Sequence, residues 1–210
     1  MTALTDTPGV PLRIALLASG GGSNARDLIA AAAADPNFEV VGLATDRPGV
    51  GALDIAAAAG VPTEVVRLAD FPARTQWDAA LTAAVAAWQP DLVVSVGFLK
   101  LLGPAFLARF GGATLNTHNS LLPAFPGITG PADALAYGVK LAGATLFVVD
   151  AGVDTGRILA QVAVPVLPGD DVETLTERIK VAERAQLVEC VAAIAACRSL
   201  DETKWGQAPD

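Results

Sequence analysis

The stretch "LRIALLASGGGSNARDLIAAAAA", residues 12–34, confines the chain to a narrow set of architectures. Residues 12–18 are almost continuously apolar, and a strand that lacks polar alternation must be covered on both faces. Gly20, Gly21 and Gly22 follow, and residues 23–34 open with cap-type side chains and run into alanines, a helical composition. A buried strand that feeds a helix through a glycine turn begins a βαβ unit, and such units build a parallel sheet between two helical layers.

The same alternation continues along the chain. Strands are expected at 39–45, 63–68, 91–97, 112–118, 143–150 and 157–166. Helices are expected at 51–60, at 71–88 with Pro72 in the first turn, near 103–109, around "ADALAYG", and over 170–197. Residues 119–131 hold three prolines and two glycines and read as loop. The expected fold class is α/β: a doubly wound, mostly parallel sheet in a single compact domain. Its divisions are an N-terminal extension (1–11), a body (12–198) made of a phosphate-binding half (12–110) and a catalytic half (111–198), and a C-terminal tail (199–210).

Composition excludes several functions. The 210 residues carry 14 Lys+Arg against 22 Asp+Glu, a net charge of −8, which argues against a nucleic-acid or anionic-membrane surface. No apolar run approaches the roughly 18 residues of a membrane span, and the first residues lack the form of a signal peptide, so a cytoplasmic protein is expected. Cys190 and Cys197 fall about 10 Å apart on one helix, too far for a disulfide. With one histidine, the chain has no zinc-ligand set, and no metal is expected.

Three segments can carry chemistry. The glycine run directs backbone N–H groups and a helix N-terminus at one point, an anion site that suits phosphate. Gly20, Gly22 and Ala25 also fit a relaxed dinucleotide fingerprint, with Asp46 about 20 residues on as a ribose acid, so an NAD-dependent dehydrogenase is a rival. "LNTHNSLLPAFPG" (115–127) holds the only histidine, His118, two residues after Asn116 on the same strand face. An amide that can meet an oxyanion beside an imidazole that can move protons is what acyl-type transfer requires. "VVDAGVDTG" supplies Asp150 and Asp154. Either can simply bond its own turn, whereas a carboxylate against His118 would favour the protonated ring and fix its orientation.

Taken in order, "ASGGGSN", "VSVGFLKLLGPAFL", "LNTHNSLLPAFPG" and "DAGVDTG" resemble the phosphoribosylglycinamide formyltransferases, folate-dependent enzymes of purine synthesis, to about residue 190. The resemblance implies a Rossmann-like formyltransferase fold and transfer of a formyl group from 10-formyltetrahydrofolate, the co-substrate, to glycinamide ribonucleotide. It implies that Gly22, Ser23 and Asn24 hold the acceptor phosphate with help from Lys180, and that Glu183 meets the ribose. Arg74, Leu99, Lys100, Leu101, Leu102 and Asp150 would contact the folate. Asn116, His118 and Asp154 would be catalytic. The partners implied are these two small molecules, with no nucleic acid or membrane, and a monomer or homodimer.

Methionyl-tRNA formyltransferase and formyltetrahydrofolate deformylase carry close versions of these motifs. The first is longer and the second usually has a regulatory domain in front, so length favours the glycinamide ribonucleotide acceptor. Four positions depart from frequent family residues: Asn119 for Pro, Thr129 and Phe147 for His, and Arg157 for Pro. They keep two further readings open, a deformylase that uses water and a formyl-folate binder with weakened transfer. Asn119 also leaves the exit from His118 without proline's restraint.

Overall fold

The computed structural model describes Leu4 and residues 9–201, so most of the expected N-terminal extension and residues 202–210 of the tail lie outside the described residues. In chain order the elements are β1 (Leu12–Leu17), α1 (Ser23–Ala34), β2 (Phe38–Thr45), α2 (Gly51–Ala58), β3 (Thr63–Val65), α3 (Arg74–Ala87) and β4 (Leu92–Ser95). They continue with α4 (Pro104–Phe110), β5 (Thr114–His118), α5 (Gly130–Tyr137), β6 (Leu141–Val148), β7 (Ile158–Pro165) and α6 (Val172–Cys197).

The strands form one sheet in the order β3-β2-β1-β4-β5-β6-β7. β1 to β5 are mutually parallel, whereas β6 runs antiparallel to β5 and β7 antiparallel to β6. The chain winds outward through β2 and β3, then returns to place β4 beside β1. Ligands bind at such a reversal, outside the carboxyl ends of the strands.

Unbroken apolar strands serve two cores because their side chains alternate. Ile14 and Leu16 of β1 pack with α1, α2 and α6, through Leu28, Ala52, Leu187 and Val191. Ala15 and Leu17 face α3 and α4, through Trp77, Leu81 and Phe106. At about 25 cal/mol per Å² of apolar surface buried, each fully buried Leu or Ile contributes roughly 2 kcal/mol before chain entropy is counted.

Several expected boundaries shift: β3 stops at Val65 rather than 68, and two helix starts move for local reasons. α3 begins at Arg74 rather than near Phe71, because Phe71 precedes Pro72 and takes an extended conformation (φ −119°, ψ 136°). α6 begins at Val172: Asp171 is its N-cap, accepting the Thr174 N–H at 2.8 Å while Thr174 Oγ1 accepts the Asp171 N–H at 3.0 Å. Asp170, outside the helix, is gripped at both oxygens by the Arg178 guanidinium, 2.7 Å each, which holds its carboxyl well below the usual carboxylate range. Both cysteines are free thiols, and burial pushes Cys190 up to about 11. Among the described residues no helix is long and apolar enough to cross a membrane.

Candidate active site

β5 delivers Asn116 and His118 to the carboxyl edge of the sheet, beside the reversal between β1 and β4. His118 is 7% exposed, and two loops meet it there. Its Nε2 lies 2.9 Å from the Phe125 carbonyl oxygen, which can only accept, so Nε2 carries a proton and donates. Its Nδ1 faces Asp154 Oδ2 at 3.8 Å, too long for a direct hydrogen bond and close enough for a strong charge interaction. Asp154 Oδ2 also accepts the Gly127 N–H at 2.8 Å, which closes a ring from His118 through the prolyl loop and back through the aspartate loop. The sequence left open whether the carboxylate and the imidazole meet; in the fold they do.

The prolyl loop is pinned by two polar side chains, Gln161 and the buried Thr145. Thr145, opposite His118 in the ladder, donates from Oγ1 to the Ser120 carbonyl at 2.7 Å and accepts the Leu122 N–H at 3.0 Å. Gln161 Nε2 donates to the Leu122 carbonyl at 2.8 Å and to Thr145 Oγ1 at 3.0 Å. The Leu122–Pro123 peptide is cis. The backbone that leaves His118 is therefore held on both sides of Asn119 without a proline. Neither Thr145 nor Gln161 was among the expected site residues, since their partners are backbone groups far away in sequence.

At the glycine run, Gly22 is left-handed (φ 77°), and a Cβ there would lie 2.6 Å from Ala52 Cα, so the fold itself demands this glycine. Gly20 and Gly21 differ: neither has positive φ, and a Cβ on either would meet nothing within 4 Å. Ser23 and Asn24 open α1 behind them. Glu183 of α6 ties this loop to β5. Its carboxylate accepts the Thr117 hydroxyl at 2.8 Å and lies beside the Asn24 side chain. Burial raises its pKa, and these two neighbours pull the other way. Lys180 instead pairs on the helix surface with Glu177 at 2.6 Å. Arg184, not among the expected residues, reaches from α6 to Asp27 of α1 at 3.3 Å.

On the other side of the reversal, residues 99–102 form a ledge with Leu99 and Leu101 each 59% exposed and Leu102 partly buried. Arg74 stacks over Trp77 at 5.3 Å and donates to the Leu101 carbonyl at 2.5 Å. A second support was missed in sequence: buried Asp78 of α3 accepts the N–H groups of Gly103 (2.9 Å) and Ala105 (2.8 Å), capping α4 from outside and fixing the ledge. Lys100 lies 3.4 Å from Asp46, which also takes the Ser19 hydroxyl and lies 3.5 Å from Arg47. The acid that a dinucleotide reading would put on a ribose is thus already engaged in the protein, which counts against that rival. Asp150 serves its own turn, accepting the Gly152 N–H at 3.0 Å and the Thr155 hydroxyl at 2.8 Å.

The four departures have local roles. Thr129 donates to Asp133 at 2.7 Å at the start of α5, and Arg157 donates to the Leu200 carbonyl at 2.8 Å, fastening the segment just after α6 to the start of β7. Phe147 is buried opposite Asn116, and Asn119 packs against Gly130, where a Cβ would lie 3.0 Å from its carbonyl.

Known proteins match this arrangement over nearly the whole chain. The formyl transferase family model matches residues 12–191. A phosphoribosylglycinamide formyltransferase of Mycobacterium tuberculosis is 61% identical over 188 residues, 90% of this chain and 87% of the relative. Glycinamide ribonucleotide transformylase 1 from Symbiobacterium toebii superposes with a TM-score of 0.86 at 38% identity, covering 92% of this chain and 93% of that one. The phosphoribosylglycinamide formyltransferase of Brucella melitensis gives 0.83 at 40% identity, covering 89% and 96%.

Proposed function

For this chain, which belongs to the formyl transferase family, we propose that it transfers the formyl group of 10-formyltetrahydrofolate to the amine of glycinamide ribonucleotide. The products are formylglycinamide ribonucleotide and tetrahydrofolate. The relatives' shared name supports the acceptor, and the site supports the chemistry.

The observation that carries the reading is the position of Glu183. One buried carboxylate accepts the hydroxyl of Thr117, between Asn116 and His118, and lies beside Asn24 of the anion loop, so the anion site and the proton-moving group keep a fixed separation. A phosphorylated acceptor anchored at Gly21, Gly22, Ser23 and Asn24 then brings its far end to His118. Glu183 meets the ribose on the way, and Lys180 adds positive charge at the rim. The folate lies on the ledge of Leu99, Lys100, Leu101 and Leu102, with Arg74 beside it and the loop at Asp150 closing over it.

Attack of the amine on the formyl carbon forms a C–N bond and a tetrahedral oxyanion. Asn116 donates to that oxygen, and His118 stabilises it. Collapse breaks the bond from the formyl carbon to N10 of the folate. The amine must lose one proton and N10 must gain one; His118 carries it, with Asp154 offsetting the ring's positive charge. No covalent enzyme intermediate enters this sequence.

Release of deformylated folate, followed with and without glycinamide ribonucleotide, tests the reading. Acceptor-dependent turnover is expected. Turnover with water alone would make the protein a deformylase, and none under either condition a binder.

A further inference from the structure

Residues 96–103, which carry the donor ledge, contain no helix or strand, so groups from other elements must hold them in place. Two side chains of α3 secure the far end: Arg74 at the Leu101 carbonyl and Asp78 at the Gly103 N–H. The near end starts at Gly97, left-handed at φ 86°, where the chain turns out of the sheet. Ser19, the residue just before the glycine run, meets it there. The Ser19 N–H donates to the Gly97 carbonyl at 3.0 Å, and Ser19 Oγ accepts the Leu99 N–H at 2.9 Å.

A hydroxyl can turn to any acceptor unless its proton is already committed. Here the proton goes to Asp46 Oδ1, which leaves the oxygen's lone pairs for Leu99. The other oxygen, Oδ2, lies 3.4 Å from the Lys100 ammonium and 3.5 Å from Arg47. One carboxylate just past β2 therefore orders two consecutive ledge residues, Leu99 through its backbone and Lys100 through its side chain. Ser19 and Asp46 are only 2% and 6% exposed, so they shape the ledge from behind and offer little surface to a ligand. We propose that Asp46 and Ser19 form a positioning relay for the formyl-folate donor, fixing the backbone at Leu99 and Lys100 on which the donor rests. The inference rests on the folate seat proposed above and adds two residues that act on it through the ledge.

The experiment measures KM for 10-formyltetrahydrofolate, KM for glycinamide ribonucleotide and the turnover number. It does so in the unaltered protein, Ser19→Ala, Asp46→Ala, Asp46→Asn and Ser19→Ala/Asp46→Ala. Ser19→Ala removes one oxygen and no charge; donor KM rises about tenfold, while acceptor KM and turnover number stay within about twofold. Asp46→Ala raises donor KM at least as far. Asp46→Asn recovers most of that loss, because its amide oxygen still takes the Ser19 proton. The double variant is no worse than Asp46→Ala, since the two groups act in series. Ser19→Ala decides the matter even where Asp46→Ala folds poorly. An unchanged donor KM in Ser19→Ala, a rise shared equally by acceptor KM, or an Asp46→Asn as impaired as Asp46→Ala overturns the relay while the transfer reaction stands. Failure of the unaltered protein to use the donor overturns the reaction and the relay together.

Discussion

Phe125 holds the protonated Nε2 of His118 through its backbone carbonyl, at 2.9 Å, from a left-handed conformation (φ 54°). Asp154, on the Nδ1 side, is left-handed as well, also at φ 54°. Left-handed backbone costs a non-glycine residue about 1 kcal/mol or more, so both groups that address the imidazole are held at local expense by the surrounding fold. That is how a preorganised site is built: the ring cannot turn without giving up a carbonyl on one side and a carboxylate on the other.

The first prediction separates charge from shape at Asp154. Asp154→Asn keeps an oxygen for the Gly127 N–H and removes the negative charge facing Nδ1. The turnover number should fall about 100-fold to 10,000-fold with little change in Tm. His118→Ala should do the same. A near-normal rate in either variant removes that residue from the mechanism.

Gly127 tests the ring from the backbone. It has φ 95° and open space around a would-be Cβ, so Gly127→Ala meets no clash and is penalised by backbone conformation alone. Stability should drop by about 1–2 kcal/mol, and because its N–H anchors Asp154, the turnover number should drop too, while KM for both substrates holds. Equal losses in KM would show that the glycine serves substrate fit instead.

Gly21 and Gly22 distinguish a ligand's demand from the fold's. Gly22→Ala forces a Cβ to 2.6 Å from Ala52 Cα and should destabilise by about 2 kcal/mol or more. Gly21→Ala meets nothing in the protein, so Tm should be unchanged. If a phosphate approaches this backbone closely, the same variant raises KM for glycinamide ribonucleotide at least tenfold and leaves KM for the folate alone. An unaltered acceptor KM would remove the anion site from this loop.

Much of this was readable from residue order. The bounds expected for α1 are those observed, because a glycine turn, cap-type residues and an alanine run all point one way. The glycine run and the Asn116–His118 pair stood out because their residue types are rare in plain scaffold at those places, whereas Asp154, an ordinary turn residue, was set apart from Asp150 only by the family resemblance. The direction of β6 did not, since the connection through α5 can serve a crossover or a reversal; the short segment between β6 and β7, by contrast, already demanded an antiparallel pair. Asp78, Thr145, Gln161 and Phe125 were invisible for one reason. Each acts through a backbone group or a side chain from another element, and periodicity within an element carries no trace of that.

Asp78→Ala follows from that blind spot. It removes one carboxylate from two N–H groups at the start of α4, in a residue only 3% exposed. Stability should fall by about 2–4 kcal/mol. The ledge at 99–102 hangs from the same turn, so KM for the folate should rise while acceptor KM is unaffected. A variant that loses stability and keeps donor KM would uncouple the cap from the ledge.

Glu183 gives a prediction in pH. Burial raises its folded pKa above the ordinary 4.5, so the native state binds its proton more tightly than the unfolded chain does. Its contribution to stability is therefore fully present below the unfolded carboxylate range and is lost as pH rises through the folded value. Glu183→Gln has no proton to lose. Relative to the unaltered protein its Tm should be similar near pH 4 and should rise as pH climbs through the folded value, then level off. The same exchange takes a charged acceptor away from the ribose, so KM for glycinamide ribonucleotide should increase about tenfold. A Tm difference that stays constant with pH would mean the carboxyl does not titrate abnormally, and an unchanged acceptor KM would leave Glu183 as the tie between Asn24 and Thr117 and nothing more.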